Sequence, residues 1–324
     1  MKIRCSIVIP VHNRAGLTRR CLEALDAGFA QRDAAGDVEV IVVDDASTDA
    51  TADLLSGYGP PVRAVRRKSN GGFAVTCNEG AAAAKGEFLV FLNNDTVPQE
   101  GWLDALVRHA DAHPEAAVVG SKLLFPNDTI QHAGVVITGD RHPRHVYTGF
   151  PGSHPAVNKS RQFQVVTGAC ALIRRELFAE TGRFDPAFVN GYEDVDLCLR
   201  LRDLGYEVHY CHEAVVYHLE SATRDYLLDP SNFRLFLDRW GDRLEQDDFR
   251  YFLEDGLIQI SYWEQFPALL SISPQLAVLD RERRSATEKL LADRSRQLFE
   301  AQKELLGLNL RLLEAGLDAA EEQP

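Results

Sequence analysis

Four short segments of this 324-residue sequence end in side chains that can do chemistry. In VIVVDDASTDAT, residues 40–51, an apolar run delivers Asp44 and Asp45 together, and Ser47, Thr48 and Asp49 follow as caps for a helix starting near Ala50. A capping turn explains Asp49 but not Asp45, because adjacent carboxylates repel and require donors or cations. A nucleotide base with an N–H to donate would suit one of them. In GEFLVFLNNDT, residues 86–96, a second run ends in Asn93, Asn94 and Asp95. A carboxylate among amides is a hard oxygen site suited to Mg or Mn that also holds phosphate, although Asn and Asp also end many strands as plain turns.

The third segment, FVNGYEDVDLCLRLRDLGY, places Glu193, Asp194 and Asp196 at the start of a helix. All three can be caps favoured by the helix dipole, and Asp196 can pair with Arg200 one turn on. The same dipole favours the ionised form, the form a general base needs at neutral pH, so Asp194 or Glu193 is the candidate base. The fourth, EAVVYHLES, ends a strand in His218. Alone it reads as a histidine at a sheet edge, but beside Asp95 an imidazole completes a cation site.

Such residues need a scaffold that gathers them, and the sequence supplies one. Up to about His218 short β-branched runs alternate with helical patterns, as in βαβ units. Strands are expected at Ile3 to Ile9, Val38 to Val43, Val62 to Val65, Glu87 to Leu92, Phe163 to Ile173 and Ala214 to Tyr217. Helices are expected to begin near Leu17, Thr51, Phe73 and Gly101. Ligands of such sheets gather outside the carboxyl ends of the strands. That rim receives Pro10, His12, Asn13 and Arg14 from the first strand, Asp44 and Asp45 from the second, and Asn93 to Asp95 from the fourth. Residues 125–160, rich in Gly, Pro and His, read as loops with a minor hairpin around Val135 to Thr138. Three regions are expected: a catalytic domain over 1–220, a helical appendage over 221–280 and an amphipathic helical tail over 281–324. In the tail Leu291, Leu298, Leu305 and Leu312 recur every seventh residue, a coiled-coil seam that would serve a homodimer or pack on its own domain.

Composition narrows the classes. With 45% hydrophobic and 26% charged residues the chain has the balance of a folded globular protein. A net charge of -13 has the wrong sign for binding polymeric nucleic acid, though a single nucleotide remains compatible. The six cysteines are scattered and read as reduced thiols, and a structural zinc is not expected. Without a signal peptide or a membrane-length apolar run, the expected location is the cytoplasm, with peripheral contact at the inner face of a membrane through the aromatic helices after Glu220 as an option.

Taken in order, SIVIPVHNR, VDDASTD, NGGFAVTCNEG with Gly86 following, LNND, TGACALIRRELFAETGRFD, and YEDVDLCLRLRDLGY leading to VVYH resemble the inverting family 2 glycosyltransferases, especially the rhamnosyltransferase-like branch. The resemblance runs from Ser6 to about His218. It implies the GT-A fold, an α/β, Rossmann-like, mainly parallel mixed sheet flanked by helices, here with a C-terminal helical extension. It also implies an enzyme of hexosyltransferase type. Pro10, His12, Asn13 and Arg14 would form the first nucleotide loop, and Asp45 would bind the pyrimidine ring. Asn70, Gly71, Gly72 and Phe73 would close around the nucleotide, with Asn94 near the ribose and diphosphate. Asp95 and His218 would hold a divalent cation, Mn or Mg. Asp194 would be the general base and Glu193 would position the acceptor. Asn93 departs from the family's Asp-x-Asp and removes one negative charge from the cation site.

The implied donor is a UDP- or dTDP-linked sugar and the implied acceptor a glycan, a lipid-linked glycan or a protein, in cell-surface polysaccharide or glycoconjugate synthesis. A nucleotidyltransferase on a similar sheet would need basic residues for a triphosphate and leaves the Glu193–Asp194 region without a task. A dehydrogenase is disfavoured because no GxGxxG follows the first strand. A non-catalytic nucleotide-sugar-binding scaffold has no use for Asp95, Asp194 and His218 together.

Overall fold

The computed structural model describes residues 2–29, 36–219, 230–262, 268–274 and 276. The first half alternates strictly: β1 (Cys5–Val11), α1 (Ala15–Phe29), β2 (Val38–Asp44), α2 (Thr51–Ser56), β3 (Val62–Arg66), α3 (Gly72–Ala83) and β4 (Phe88–Leu92). Then come β5 (Thr96–Pro98), α4 (Trp102–Ala112), β6 (Ala116–Leu124), β7 (Ile130–His132), β8 (Val135–Ile137), β9 (Pro143–His145) and β10 (Arg161–Phe163). The last elements are β11 (Cys170–Arg174), α5 (Arg175–Glu180), α6 (Glu193–Asp203), β12 (Glu207–His218), α7 (Pro230–Trp240), α8 (Asp248–Glu254), β13 (Ile258–Tyr262) and β14 (Ala268–Ile272).

The main sheet is mixed, in the order β10-β12-β6-β11-β4-β1-β2-β3. β1 lies parallel to both β2 and β4, and β3 continues parallel to β2. β11 runs antiparallel between β4 and β6, and β12 is parallel to β6. The carboxyl ends of β1, β2, β4, β6 and β12 therefore share one edge. Strands buried on both faces must be apolar throughout, which is why SIVIP and FLVFL read as continuous runs. Ile7, Ile9, Val40, Val90 and Leu92 pack in one core with Cys21, Leu22 and Leu25 of α1 and with Trp102, Leu103 and Leu106 of α4. On the other face Gly80 lets α3 close on the sheet, since a Cβ there would lie 2.3 Å from Val8.

The strands expected at the starts of the βαβ units are all present, and the minor hairpin is β8 with β9. Four details differ. β6 was not expected as a strand: AAVVGSKLL carries a Gly, a Ser and a Lys, yet all nine positions are buried. The single strand expected over 163–173 is two, β10 and β11, because residues 164–169 leave the ladder to form a loop at the rim. β12 starts at Glu207, well before Ala214, where alternating polar residues hide the strand from an apolar count. Finally, the stretch expected as helices over 221–280 contains β13 and β14, an antiparallel hairpin in which IQISY alternates β-branched or aromatic residues with polar ones and ALLSI is a short apolar run broken by Ser271.

The chain divides into two compact units, Met1–Tyr251 and Phe252–Pro324, so α7 belongs with the sheet. The described part of the second unit is mainly the β13–β14 hairpin, and the heptad tail over 281–324 lies outside the described residues. All six cysteines are buried with free thiols. Among the described residues no helix is long and apolar enough to cross a membrane.

Candidate active site

The loop after β1 turns sharply, with Asn13 and Arg14 both at positive φ, 60° and 64°. It is clasped to the loop after β2. His12 Nδ1 meets the Asp45 carbonyl at 2.8 Å, and the Asn13 amide N–H donates to Ser47 Oγ at 2.7 Å. Asn13 Oδ1 in turn accepts from the Thr48 N–H at 2.8 Å. Asp49 accepts from both the Ala15 and Thr51 amides, each at 3.0 Å, so one carboxylate ties the starts of α1 and α2 together; the Thr51 hydroxyl at 2.5 Å above all, then the Ala15 amide, holds it below its usual range. Pro10 pairs with Val43 inside the ladder.

Asp45 is buried and well supplied with donors. Its oxygens accept from Arg67 NH1 at 2.7 Å, from the Gly71 amide at 3.0 and 3.2 Å, and from the Gly72 amide at 3.0 Å. The carboxylate thus sits on the amino end of α3, where the helix dipole favours negative charge. Arg67 lies between Asp45 and Glu79, which it contacts at 2.8 Å. Arg67 carries no signal of this role in the sequence, since it stands in the basic run Arg66-Arg67-Lys68, which reads as solvated surface. Asn70 Oδ1 accepts from the Gly72 amide at 3.0 Å, and the positive φ of Gly72, 79°, is a conformation glycine adopts without strain. The Phe73 amide donates to Asn190 Oδ1 at 3.1 Å, joining this loop to the approach to α6.

Asp95 and His218 do meet. β5 pairs antiparallel with β12 so that His218 stands opposite Thr96, and His218 Nε2 lies 2.9 Å from Asp95 Oδ1. Behind the ring, Gln131 of β7 presents Oε1 to Nδ1 at 2.5 Å, while its own Nε2 is buried with no hydrogen-bond partner. An amide oxygen only accepts, so Nδ1 donates to it, while Nε2 faces the Asp95 carboxylate with the Asn93 amide nitrogen 3.4 Å away. A proton or a cation can join the two at that separation. The mixed nitrogen and oxygen set fits a divalent ion of the Mn or Mg class. Asn94 points elsewhere in this rim, donating to Thr18 Oγ1 at 3.0 Å.

The three carboxylates of α6 have separate tasks. Asp196 is fully buried and accepts from Arg200 at 2.8 Å, Arg239 at 2.7 Å and Trp240 Nε1 at 2.9 Å, so it anchors α7. Glu193 is buried and accepts from the Gly191 amide at 2.5 Å. Asp194 is half-buried, with one hydrogen bond on each oxygen: the Gly168 amide at 2.8 Å and the Val195 amide at 2.9 Å. Each oxygen keeps a further lone pair for an incoming proton. The backbone before the helix is unusual: Asn190, Gly191 and Tyr192 all have positive φ, 56°, 153° and 72°. An aromatic residue in that region is costly, and here it is held by Phe236, 5.1 Å away between ring centroids.

Loop 167–169 links these parts. The Gly168 amide donates to Asp194, the Ala169 carbonyl accepts from the Asn93 amide at 2.9 Å, and the Thr167 amide donates to His132 Nε2 at 3.3 Å. A Cβ on Gly168 would lie 3.2 Å from Asp194 Cβ and 3.7 Å from the Phe73 ring. Asp194, Phe73 and the Asn93–Asp95 turn are therefore neighbours at one rim. His132 is buried between two hydrogen-bond partners, the Ser121 carbonyl at 2.9 Å and the Thr167 amide. Burial above all, then the nearby His145, pushes it down to about 3. Neither Gln131 nor Gly168 was singled out from the sequence. Gly168 lies in TGAC, a motif that carried resemblance without an assigned role, and Gln131 had no signal.

A family model described as Glycosyl transferase family 2 matches residues 6–182. An O-antigen biosynthesis protein of Myxococcus xanthus, RfbC, is 37% identical over 256 residues, covering 74% of this chain but only 20% of that protein. An N-acetylglucosaminyl-diphospho-decaprenol L-rhamnosyltransferase of Mycobacterium tuberculosis is 27% identical, covering 56% of this chain and 66% of the relative. Among solved structures, GalNAc-T7 with UDP, GalNAc and Mn2+ superposes with a TM-score of 0.55 at 17% identity, covering 67% of this chain and 44% of that one, a likeness of fold.

Proposed function

The chain belongs to glycosyl transferase family 2, and from that premise we propose that it moves a sugar from a nucleotide-diphosphate sugar to an acceptor hydroxyl with inversion at the anomeric carbon. The observation that carries this reading is loop 167–169, which joins the Asp194 carboxylate through Gly168 to the Asn93–Asp95 turn through Ala169. On this reading a base and a cation-binding pair flank one space. The acceptor oxygen attacks the anomeric carbon from the face opposite the diphosphate, its proton passes to Asp194, and the bond from that carbon to the diphosphate oxygen breaks. Glu193 braces the turn that presents Asp194 and the acceptor. Asp95 and His218 would hold Mn or Mg, which when bound offsets the charge growing on the departing diphosphate.

On the donor side, Asp45 with Arg67 gives an acceptor and a donor side by side, a pair that matches the N–H and carbonyl edge of a uracil or thymine ring. His12, Asn13, Arg14 and Pro10 frame the base, while Asn70 to Phe73 and Asn94 border the sugar and diphosphate. A UDP- or dTDP-linked donor follows. The relatives' names, an O-antigen biosynthesis protein and an N-acetylglucosaminyl-diphospho-decaprenol L-rhamnosyltransferase, support a lipid-linked glycan as acceptor and a place in cell-surface polysaccharide or glycoconjugate synthesis.

A panel of UDP-, dTDP- and GDP-sugars, assayed for nucleoside diphosphate release with and without Mn, tests the reading. Release from a pyrimidine donor that rises with Mn is expected. Pyrophosphate release from a nucleoside triphosphate instead would make the protein a nucleotidyltransferase, and binding without any turnover a scaffold.

A further inference from the structure

No zinc site was expected, but His109 and His113 are one turn apart near the end of α4 and project from the same face. Across from them stands His209, near the start of β12 and buried to 7%. His109 Nε2 lies 2.9 Å from His209 Nδ1, and the three ring centroids are 4.6 to 5.1 Å apart. One ligand nitrogen from each ring falls within 4.8 Å of the others.

We propose that His109, His113 and His209 form a second cation site, of the kind zinc prefers, at the sheet edge opposite the donor rim. Two of the three rings are backed by carboxylates: His209 Nε2 meets Glu207 at 2.7 Å, and His113 Nδ1 meets Glu115 at 3.1 Å. A carboxylate behind an imidazole holds the ring proton on the far nitrogen and turns the near lone pair inward, as the outer partners of zinc-bound histidines do. Nitrogens on one tetrahedral zinc stand about 3.3 Å apart, given bonds of about 2.0–2.1 Å. The 2.9 Å pair therefore needs to open by only a few tenths of an ångström, and the cation replaces the hydrogen that otherwise joins the two rings. The fourth position falls to water.

This site is separate from the rim in place and in chemistry. β6 and β12 are parallel, and the amide of Glu207 donates to the carbonyl of Glu115 at 2.9 Å, so both backing carboxylates belong to the amino ends of these strands. The nine positions from His209 to His218 span roughly 30 Å of β12. Three imidazoles select a borderline metal such as zinc, whereas the Asp95–His218 pair with diphosphate oxygens suits a harder ion. A bound zinc would pin the last turn of α4 to the starts of β6 and β12, linking a helix to two strands that reach the rim at their other ends.

The test uses the full chain in zinc-free buffer without nucleotide, titrated with Zn2+ by calorimetry and with Co2+ by visible absorption. Wild type is expected to take up one Zn2+ and to show the intense bands of tetrahedral cobalt. Both should survive in Asp95→Asn and vanish in His113→Ala, whose ring is exposed enough that the fold, followed by metal-free melting, should hold. Glu207→Gln, which changes only the partner behind the His209 ring, should weaken Zn2+ about 10- to 100-fold. Absent uptake in wild type, uptake that His113→Ala leaves unchanged, or uptake that Asp95→Asn abolishes overturns the proposal.

Discussion

Strand β12 carries His209 near its start and His218 at its end, and the two rings sit in opposite chemical settings. His218 faces one carboxylate, Asp95, and is backed by the neutral amide of Gln131. His209 faces the two imidazoles of α4 and is backed by the carboxylate of Glu207. A carboxylate in front and an amide behind make a hard, charged pair. Imidazoles in front and a carboxylate behind make a softer site that closes on itself. One strand thus carries a histidine near each of its two ends, and what differs is not the histidine but what the neighbouring elements place around it.

The comparison is sharpest where it is tested by chemistry. The largest effect belongs to the rim: Asp194→Asn should lower kcat by about 10²- to 10⁴-fold, the ordinary contribution of a general base, with nucleotide binding nearly intact by calorimetry. Turnover at the wild-type rate would remove Asp194 from that role. Next, Asp95→Asn should lower the Mn-supported rate by about 10²- to 10³-fold, as loss of a charge-stabilising partner does, and leave zinc uptake at the other edge untouched.

Smaller effects should separate the two outer partners. Gln131→Leu removes the acceptor behind His218, and Mn affinity, followed by the paramagnetic signal of the free ion, should fall about 10- to 100-fold with no change in Zn2+ uptake. Glu207→Gln should do the reverse. If both substitutions weakened both cations, the edges would not be independent.

The smallest expected effect concerns pH and His132, which lies beside Gln131 and holds the Thr167 amide. Its folded value of about 3 lies below its ordinary value of 6.5, so its contribution to stability is full above about pH 6.5 and declines as pH falls towards 3. Between pH 6.5 and 5.5 the loss is about 1 kcal/mol. Denaturant melts at the two pH values should show it, and His132→Gln should flatten that part of the profile. An unchanged slope in the variant would mean that other groups cause the acid sensitivity.

Much of the first half was legible because its signals are local. Each of β1, β2 and β4 is a run of β-branched and apolar residues ending in polar ones, and each helix follows within a few positions, so the carboxyl-end rim and the presence of Asp45 and Asp95 on it could be read directly. Asp196 with Arg200 was equally visible as a one-turn pair, and the pair forms at 2.8 Å. Asp45 shows the limit. Its need for donors could be inferred from its neighbour Asp44, but the suppliers, Arg67 and the amides of Gly71 and Gly72, come from 22 to 27 residues away. His109 and His113 stand four residues apart at the end of α4, a spacing that was missed when no zinc was expected from the histidines. That spacing becomes a site only because β12 delivers His209 from 100 residues further on.

By itself the sequence determined the alternation of strands and helices, the edge on which the acids collect and the family to which the chain belongs, because these rest on periodicity and on motifs within short windows. Tertiary structure alone decided that His218 meets Asp95, that loop 167–169 joins Asp194 to the Asn93–Asp95 turn, and that Gln131 stands behind the ring. The physical reason is strand pairing. The β5–β12 register and the insertion of β11 between β4 and β6 bring together residues up to 125 positions apart, and such pairing is set by burial of the whole sheet, which no short stretch of the chain records.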